Sequence, residues 1–115
     1  MPRDALSATF AALADPTRRA ILDRLRAGEA SVAELAEPFH MTVRAVSKHI
    51  GVLEAAGLVT RERDAQRRPS RIRAEPLADV DRWLASYRQL WNRRFDRLDE
   101  RLKRQQKGKH HDRTG

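Results

Sequence analysis

Three observations predict a mainly α-helical fold of about five helices with one two-stranded β-hairpin. Four short amphipathic stretches, each with its own start and stop signals, fill residues 3–57. Two short basic segments joined by a polar link follow at 58–74. From Leu77 to Leu102 a single apolar stripe then repeats every three or four residues, the period of an α-helix.

Arg3 to Ala14 reads as a short helix with Leu6, Phe10 and Leu13 on one side. Asp15-Pro16 restarts the chain: aspartate can cap, and proline suits a first helical position whose amide needs no partner. Ile21, Leu22 and Leu25 give the second helix its apolar stripe, and Gly28 ends it. Ser31-Val-Ala-Glu34 has the pattern of a capping box and opens a third helix with Val32, Leu35 and Ala36 inward. Pro38 stops that helix, and Phe39-His40-Met41 forms the turn into Thr42.

Thr42 to Gly57 is the stretch around which the rest is organised. Thr42 is a good N-cap, and Val46, Ile50 and Leu53 make one apolar face. Arg44, Ala45, Ser47 and Lys48 lie off that face, offering a fork donor, a small contact, a hydroxyl and a point charge near the helix start. Gly57 suits a left-handed C-cap. Two short helices joined by a tight turn, the second bearing polar residues, form the helix-turn-helix pattern. A major groove admits such a helix, whose first turns reach base edges. Taken alone, the stretch reads equally well as an ordinary amphipathic surface helix; its flanks favour the first reading.

Leu58 to Arg63 and Ser70 to Ala74 are the two strands, linked by Asp64 to Pro69. Arg61, Arg63, Arg67, Arg68, Arg71 and Arg73 make this hairpin densely basic. A tip such as Arg67-Arg68 can enter a minor groove, whose negative potential attracts guanidinium groups. The fold is therefore a winged helix-turn-helix, with the hairpin as wing.

Pro76 starts the last helix, which the pattern carries to about Arg104. Leu77, Val80, Leu84, Tyr87, Trp91, Phe95, Leu98 and Leu102 form its stripe. At about 1.5 Å per residue it is roughly 40 Å long, against a radius of gyration of about 13 Å for a domain of this size. One small domain cannot cover so long a stripe, and a second subunit is the simplest cover. Residues 1–105 are thus one DNA-binding and dimerisation domain, and 106–115 a disordered basic tail.

Composition narrows the partner. The 115 residues carry a net charge of +8 and a sequence pI of about 11.1, which points to a polyanion, nucleic acid before membrane. Cysteine is absent, excluding a disulfide framework and thiolate metal sites. No run approaches a membrane span and the start has no apolar signal core, so a cytoplasmic location is expected.

The stretch Phe10-Ala-Ala-Leu-Ala-Asp-Pro-Thr-Arg-Arg-Ala-Ile-Leu22, then Val46-Ser-Lys-His-Ile50, then Leu53-Glu-Ala-Ala-Gly-Leu-Val59, resembles the ArsR family of bacterial winged-helix repressors. The similarity covers about residues 6 to 102. It implies a homodimer joined through the first and last helices, here Leu6, Phe10 and Leu13 with Leu84, Tyr87, Trp91, Phe95 and Leu98. It also implies an inverted-repeat operator, usually repressed. Carried over by position, the base-reading residues are Arg44, Ala45, Ser47 and Lys48, with Thr42 at the helix start. Many members sense metals, and here the sequence departs from the pattern. The family's cysteine site would fall near Leu35-Ala36-Glu37, which has no thiol. Its last-helix site would need histidines near Asp79, Asp81 and a turn or more beyond, and the helix has none. The chain is more similar to a non-metal subgroup with a Trp-rich last helix.

Remaining residues weigh toward bland roles. His49 suits packing or a phosphate contact rather than catalysis, His40 is a solvated turn residue, and His110-His111 would bind metal only incidentally. Trp83, Tyr87 and Trp91 read as dimer core before effector pocket, leaving an organic effector of unidentified structure as a further partner. The mixed charges on the last helix are a solvated face. A nucleoid-like protein holding phosphates alone, or a winged-helix protein-interaction module, are the competing functions. No Gly-rich phosphate loop, thiol or Ser/His/Asp spacing suggests an enzyme, and no cofactor is expected. Repression and activation stay open, since the choice depends on operator position.

Overall fold

The computed structural model describes residues 4–62 and 69–114, with side chains placed to residue 105. Five α-helices and a two-stranded antiparallel sheet follow in the order α1 (Ala5–Leu13), α2 (Pro16–Leu25), α3 (Val32–Ala36), α4 (Val43–Ala55), β1 (Val59–Arg61), β2 (Ser70–Ile72) and α5 (Glu75–Thr114). This is the winged helix-turn-helix expected from the sequence.

Each start is chemically determined. The Asp4 carboxylate accepts from the Ser7 amide at 2.7 Å and caps α1. Asp15 accepts from the Arg18 amide at 3.0 Å, with Pro16 beginning α2. At α3 the capping box closes both ways: the Ser31 hydroxyl accepts from the Glu34 amide, and the Glu34 carboxylate accepts from the Ser31 amide. Each such cap contributes on the order of 1 kcal/mol. Pro38 does not stop the chain's helical course, as the sequence pattern has it. It sits early in a 3-10 turn, Glu37–Phe39, where its missing amide costs nothing. The reversal falls on His40, whose φ of 54° is left-handed.

Residues to Val80 form one compact unit. Its core gathers Ile21, Leu22 and Leu25 from α2, Leu35 and Ala36 from α3, Val46, Ile50 and Leu53 from α4, and Leu58 and Val59 at β1. On α1 the buried residues are Thr9 and Ala12, while Phe10 is exposed and Leu13 packs partly against this core. Strand β1 pairs with β2 in the register Val59↔Ile72, Thr60↔Arg71 and Arg61↔Ser70. Both strands are shorter than the sequence suggests, three residues each. The sheet is tied to the helical layer by an isolated bridge, Ala30↔Ser70, with amide–carbonyl distances of 3.1 and 2.8 Å.

From Asp81 onward α5 forms the second unit. Where the sequence pattern ends this helix near Arg104 and leaves 106–115 as a tail, the helical backbone runs on to Thr114. No proline follows Pro76, and Gly108 is the one weak helix former on the way. Within this unit Arg88 pairs with Asp81 and Lys103 with Asp99. Trp83 and Tyr87, a turn apart, have ring centroids 5.0 Å apart and tilted by 46°. Trp83, Tyr87, Leu90, Trp91, Phe95, Leu98 and Leu102 are all exposed in the single chain, and Leu84 is half-buried.

Candidate nucleic-acid interface

The interface is built on α4. Thr42 is extended, and its hydroxyl accepts from the Ala45 amide at 3.0 Å. Buried Val46, Ile50 and Leu53 lock one side of the helix to the core. The opposite side carries Arg44 and Lys48, one turn apart and both exposed, flanked by half-buried Ala45 and Ser47. Among the described residues no carboxylate pairs with either cation. The helix ends in a full left-handed cap: Gly57 has φ of 78°, its amide reaches the Glu54 carbonyl at 3.0 Å, and the Leu58 amide reaches Leu53 at 2.9 Å. A capped, core-locked helix presenting a fork donor, a hydroxyl and an ammonium group can read groove edges without reorganising.

The strand arginines behave differently from their sequence reading as one basic surface. Arg61 folds back onto α4, where its Nη2 donates to the Ser47 carbonyl at 3.0 Å and its Nε lies 3.9 Å from Glu54. Arg71 pairs with Glu29 and Glu62, which raises its already high pKa, chiefly through the hydrogen bond to Glu29. Arg73 is 3.6 Å from Glu75. These three hold the hairpin to the helical layer, and sequence gives little warning: Glu29 is 42 residues from Arg71. Arg63, Arg67 and Arg68 lie outside the described residues.

A second cluster supports α4 from behind. Arg18 Nε donates to the Ala12 carbonyl at 2.7 Å and its Nη2 to Ala11 at 3.1 Å, while Arg19 donates to Leu13 at 2.7 Å. The two arginines thereby satisfy carbonyls that α1 leaves open at its end. The Arg18 amide, donating into the Asp15 carboxylate, holds that acid below the usual range. The nearby charges of Arg18 and His49 act the same way, and partial burial opposes them. Sequence reading assigns Asp15 its cap but misses Arg18, whose acceptors are backbone carbonyls that leave no signature.

Among the described residues no group of three or more His, Cys, Asp or Glu side chains is arranged to hold a metal ion, and no helix is long and apolar enough to cross a membrane.

Comparison with known proteins agrees with this geometry. A helix-turn-helix domain family matches residues 13–62, from the end of α1 to the end of β1. The transcriptional repressor SdpR of Bacillus subtilis is 31% identical over 78 residues, 68% of this chain and 87% of that protein. A crystal structure of an ArsR family transcriptional regulator superposes with a TM-score of 0.71 at 44% identity, covering 77% of this chain and 98% of the other. The homodimeric winged helix-turn-helix DNA-binding domain of Mb0332 from Mycobacterium bovis gives 0.59 at 31% identity, covering 77% and 80%.

Proposed function

The chain belongs to the ArsR family of winged helix-turn-helix transcriptional regulators, and we propose that it is a homodimeric repressor reading an inverted-repeat operator through α4. DNA binding is the family's common property; the observation that carries the finer reading is the exposed Arg44–Lys48 pair on a capped and core-locked helix. Arg44 and Ser47 read base edges, Lys48 holds phosphate, and Thr42 and Ala45 set how closely the first turn approaches. Arg67 and Arg68 enter the adjacent minor groove.

The dimer reading is supported by the exposed stripe of α5 and by exposed Phe10 on α1. Val80, Leu84, Tyr87, Trp91, Phe95, Leu98 and Leu102 recur with an eleven-residue period, at 80, 91 and 102, at 84 and 95, and at 87 and 98. That period keeps an apolar seam nearly straight along a helix pair. Leu6 and Leu13 extend the seam onto α1. The similar Mycobacterium bovis domain is itself homodimeric. An organic effector would enter at the aromatic seam of Trp83, Tyr87 and Trp91, since cysteine is absent and metal is not the signal. The protein works where its DNA is, in the cytoplasm.

Selecting bound duplexes from a random pool tests the function. A palindromic consensus with half-site centres about 34 Å apart is expected. Arg44→Ala then costs about 1–3 kcal/mol on that duplex and relaxes preference at one position per half-site. Equal loss on selected and random duplexes would instead identify a phosphate-only, nucleoid-like binder.

A further inference from the structure

Arg18 stands where α1, α2 and α4 meet, and its third contact is the informative one. Nε and Nη2 are committed to the Ala12 and Ala11 carbonyls. Nη1 lies 3.4 Å from Nδ1 of His49, on α4 and 31 residues away. Asp15 Oδ2 is also near that nitrogen, but at 3.9 Å, too far for a hydrogen bond. The closer partner therefore decides the tautomer. A guanidinium only donates and does not lose its proton. Nδ1 must then present its lone pair, which leaves the ring proton on Nε2. The two nitrogens sit on different edges of the imidazole, so with Nδ1 turned to Arg18 the Nε2–H is aimed away from this cluster. The His49 side chain keeps 22% of its surface exposed and directly follows Lys48 on the reading helix.

We infer that His49 donates its Nε2–H to a DNA phosphate, and that Arg18 is the positioning residue that fixes the tautomer and ring orientation. The inference rests on the DNA-binding reading above and adds to it a contact made from the side of α4. It also gives Arg18 a double task. One edge of its guanidinium closes the end of α1, and the opposite corner sets a DNA contact on α4. Lysine cannot replace it, because a single ammonium cannot span three acceptors in a fixed fork.

The test uses the full-length protein and a duplex recovered from the random pool, made with one neutral methylphosphonate at each backbone position in turn. The parent should lose affinity at a set of positions. His49→Phe keeps a flat ring without a donor. It should bind the unmodified duplex about tenfold more weakly, the scale of one hydrogen bond to a charged group, and become indifferent to modification at one phosphate per recognition helix. His49→Gln, which keeps an N–H donor, should recover sensitivity at that phosphate. Arg18→Lys should lose it while the other positions stay unchanged. Independently of any variant, ¹⁵N chemical shifts of the parent should show His49 protonated on Nε2 and bare on Nδ1. An unchanged methylphosphonate profile in His49→Phe, or a proton on Nδ1, overturns this inference and leaves the DNA-binding reading standing. A parent that recovers no duplex overturns both.

Discussion

Gly51 lies in the middle of α4 with no internal reason to be glycine. Its backbone is ordinary right-handed helix, and a Cβ built there meets nothing within 4 Å. Glycine inside a helix costs about 0.5–1 kcal/mol relative to alanine, through the backbone freedom it loses on folding. Gly51→Ala should therefore stabilise the protein by about that amount, with no steric charge to set against it. For a unit of this size, 1 kcal/mol moves the melting temperature by roughly 4–8 °C, so a rise of about 2–8 °C is expected. The measurement is thermal unfolding followed by circular dichroism, parent and variant at equal protein concentration because a dimer's midpoint depends on it. Gly51 also follows Arg44 by seven residues and Lys48 by three, which puts it on their side of the helix. The methyl that helps the free protein then intrudes where DNA is seated, and affinity for the selected duplex should fall as the midpoint rises. A variant that melts lower refutes the stability argument. One that melts higher and binds DNA as the parent does refutes the seating of DNA against this face.

Three further outcomes follow from the same structure. Trp91→Glu places an unpaired charge in the α5 seam at a cost of several kcal/mol, so sedimentation should give a dimer for the parent and a monomer for the variant; a monomeric parent at micromolar concentration removes the dimer. Asp15 is depressed below its usual range in the folded state, so its stabilising effect is complete above about pH 4, near the unfolded value, and is lost as pH falls through the lower folded value. The stability gap between the parent and Asp15→Asn, read from urea midpoints, should accordingly close under acid, and a gap that widens there would contradict the assignment. Operator affinity should be indifferent to micromolar Zn²⁺, Ni²⁺, Cd²⁺ or arsenite in a chain with His110 and His111 replaced by alanine. A tenfold change, about 1.4 kcal/mol of coupling, would reveal a metal site.

What the sequence discloses and what it hides divide along the range of the interactions. Asp15-Pro16, Ser31 with Glu34, and Thr42 fix the starts of α2, α3 and α4 because a cap and its amide are three residues apart. The buried face of α4 is legible for the same reason: Val46, Ile50 and Leu53 lie at helical spacing and all three are core. The strands are legible as a hairpin but not in length, because antiparallel pairing here is limited to three registered pairs. Arg18 and Arg61 are the clearest omissions at the site. Both donate to main-chain carbonyls, Arg18 on α1 and Arg61 on Ser47, and a carbonyl is present at every position whatever the residue. No pattern of side chains announces such an acceptor.

The strand arginines also change what the net charge of +8 means. Arg61, Arg71 and Arg73 each meet a carboxylate of the same chain, at Glu54, at Glu29 with Glu62, and at Glu75. A paired guanidinium adds little to the far field, and exposed pairs of this kind add little to stability. Their value is in geometry. Arg71 fastens β2 to the segment ahead of α3, beside the Ala30↔Ser70 bridge, and Arg61 fastens β1 to the carbonyl of Ser47 on α4. The wing and the reading helix are thus joined through Arg61, whose Nε is buried at that junction. Counterion release counts only cations that reach phosphate. The salt dependence of binding should therefore reflect Lys48, the wing tip and other free cations rather than the full basic complement. A hairpin held in this way carries its tip at a set distance from α4, as simultaneous engagement of a major groove and the neighbouring minor groove requires.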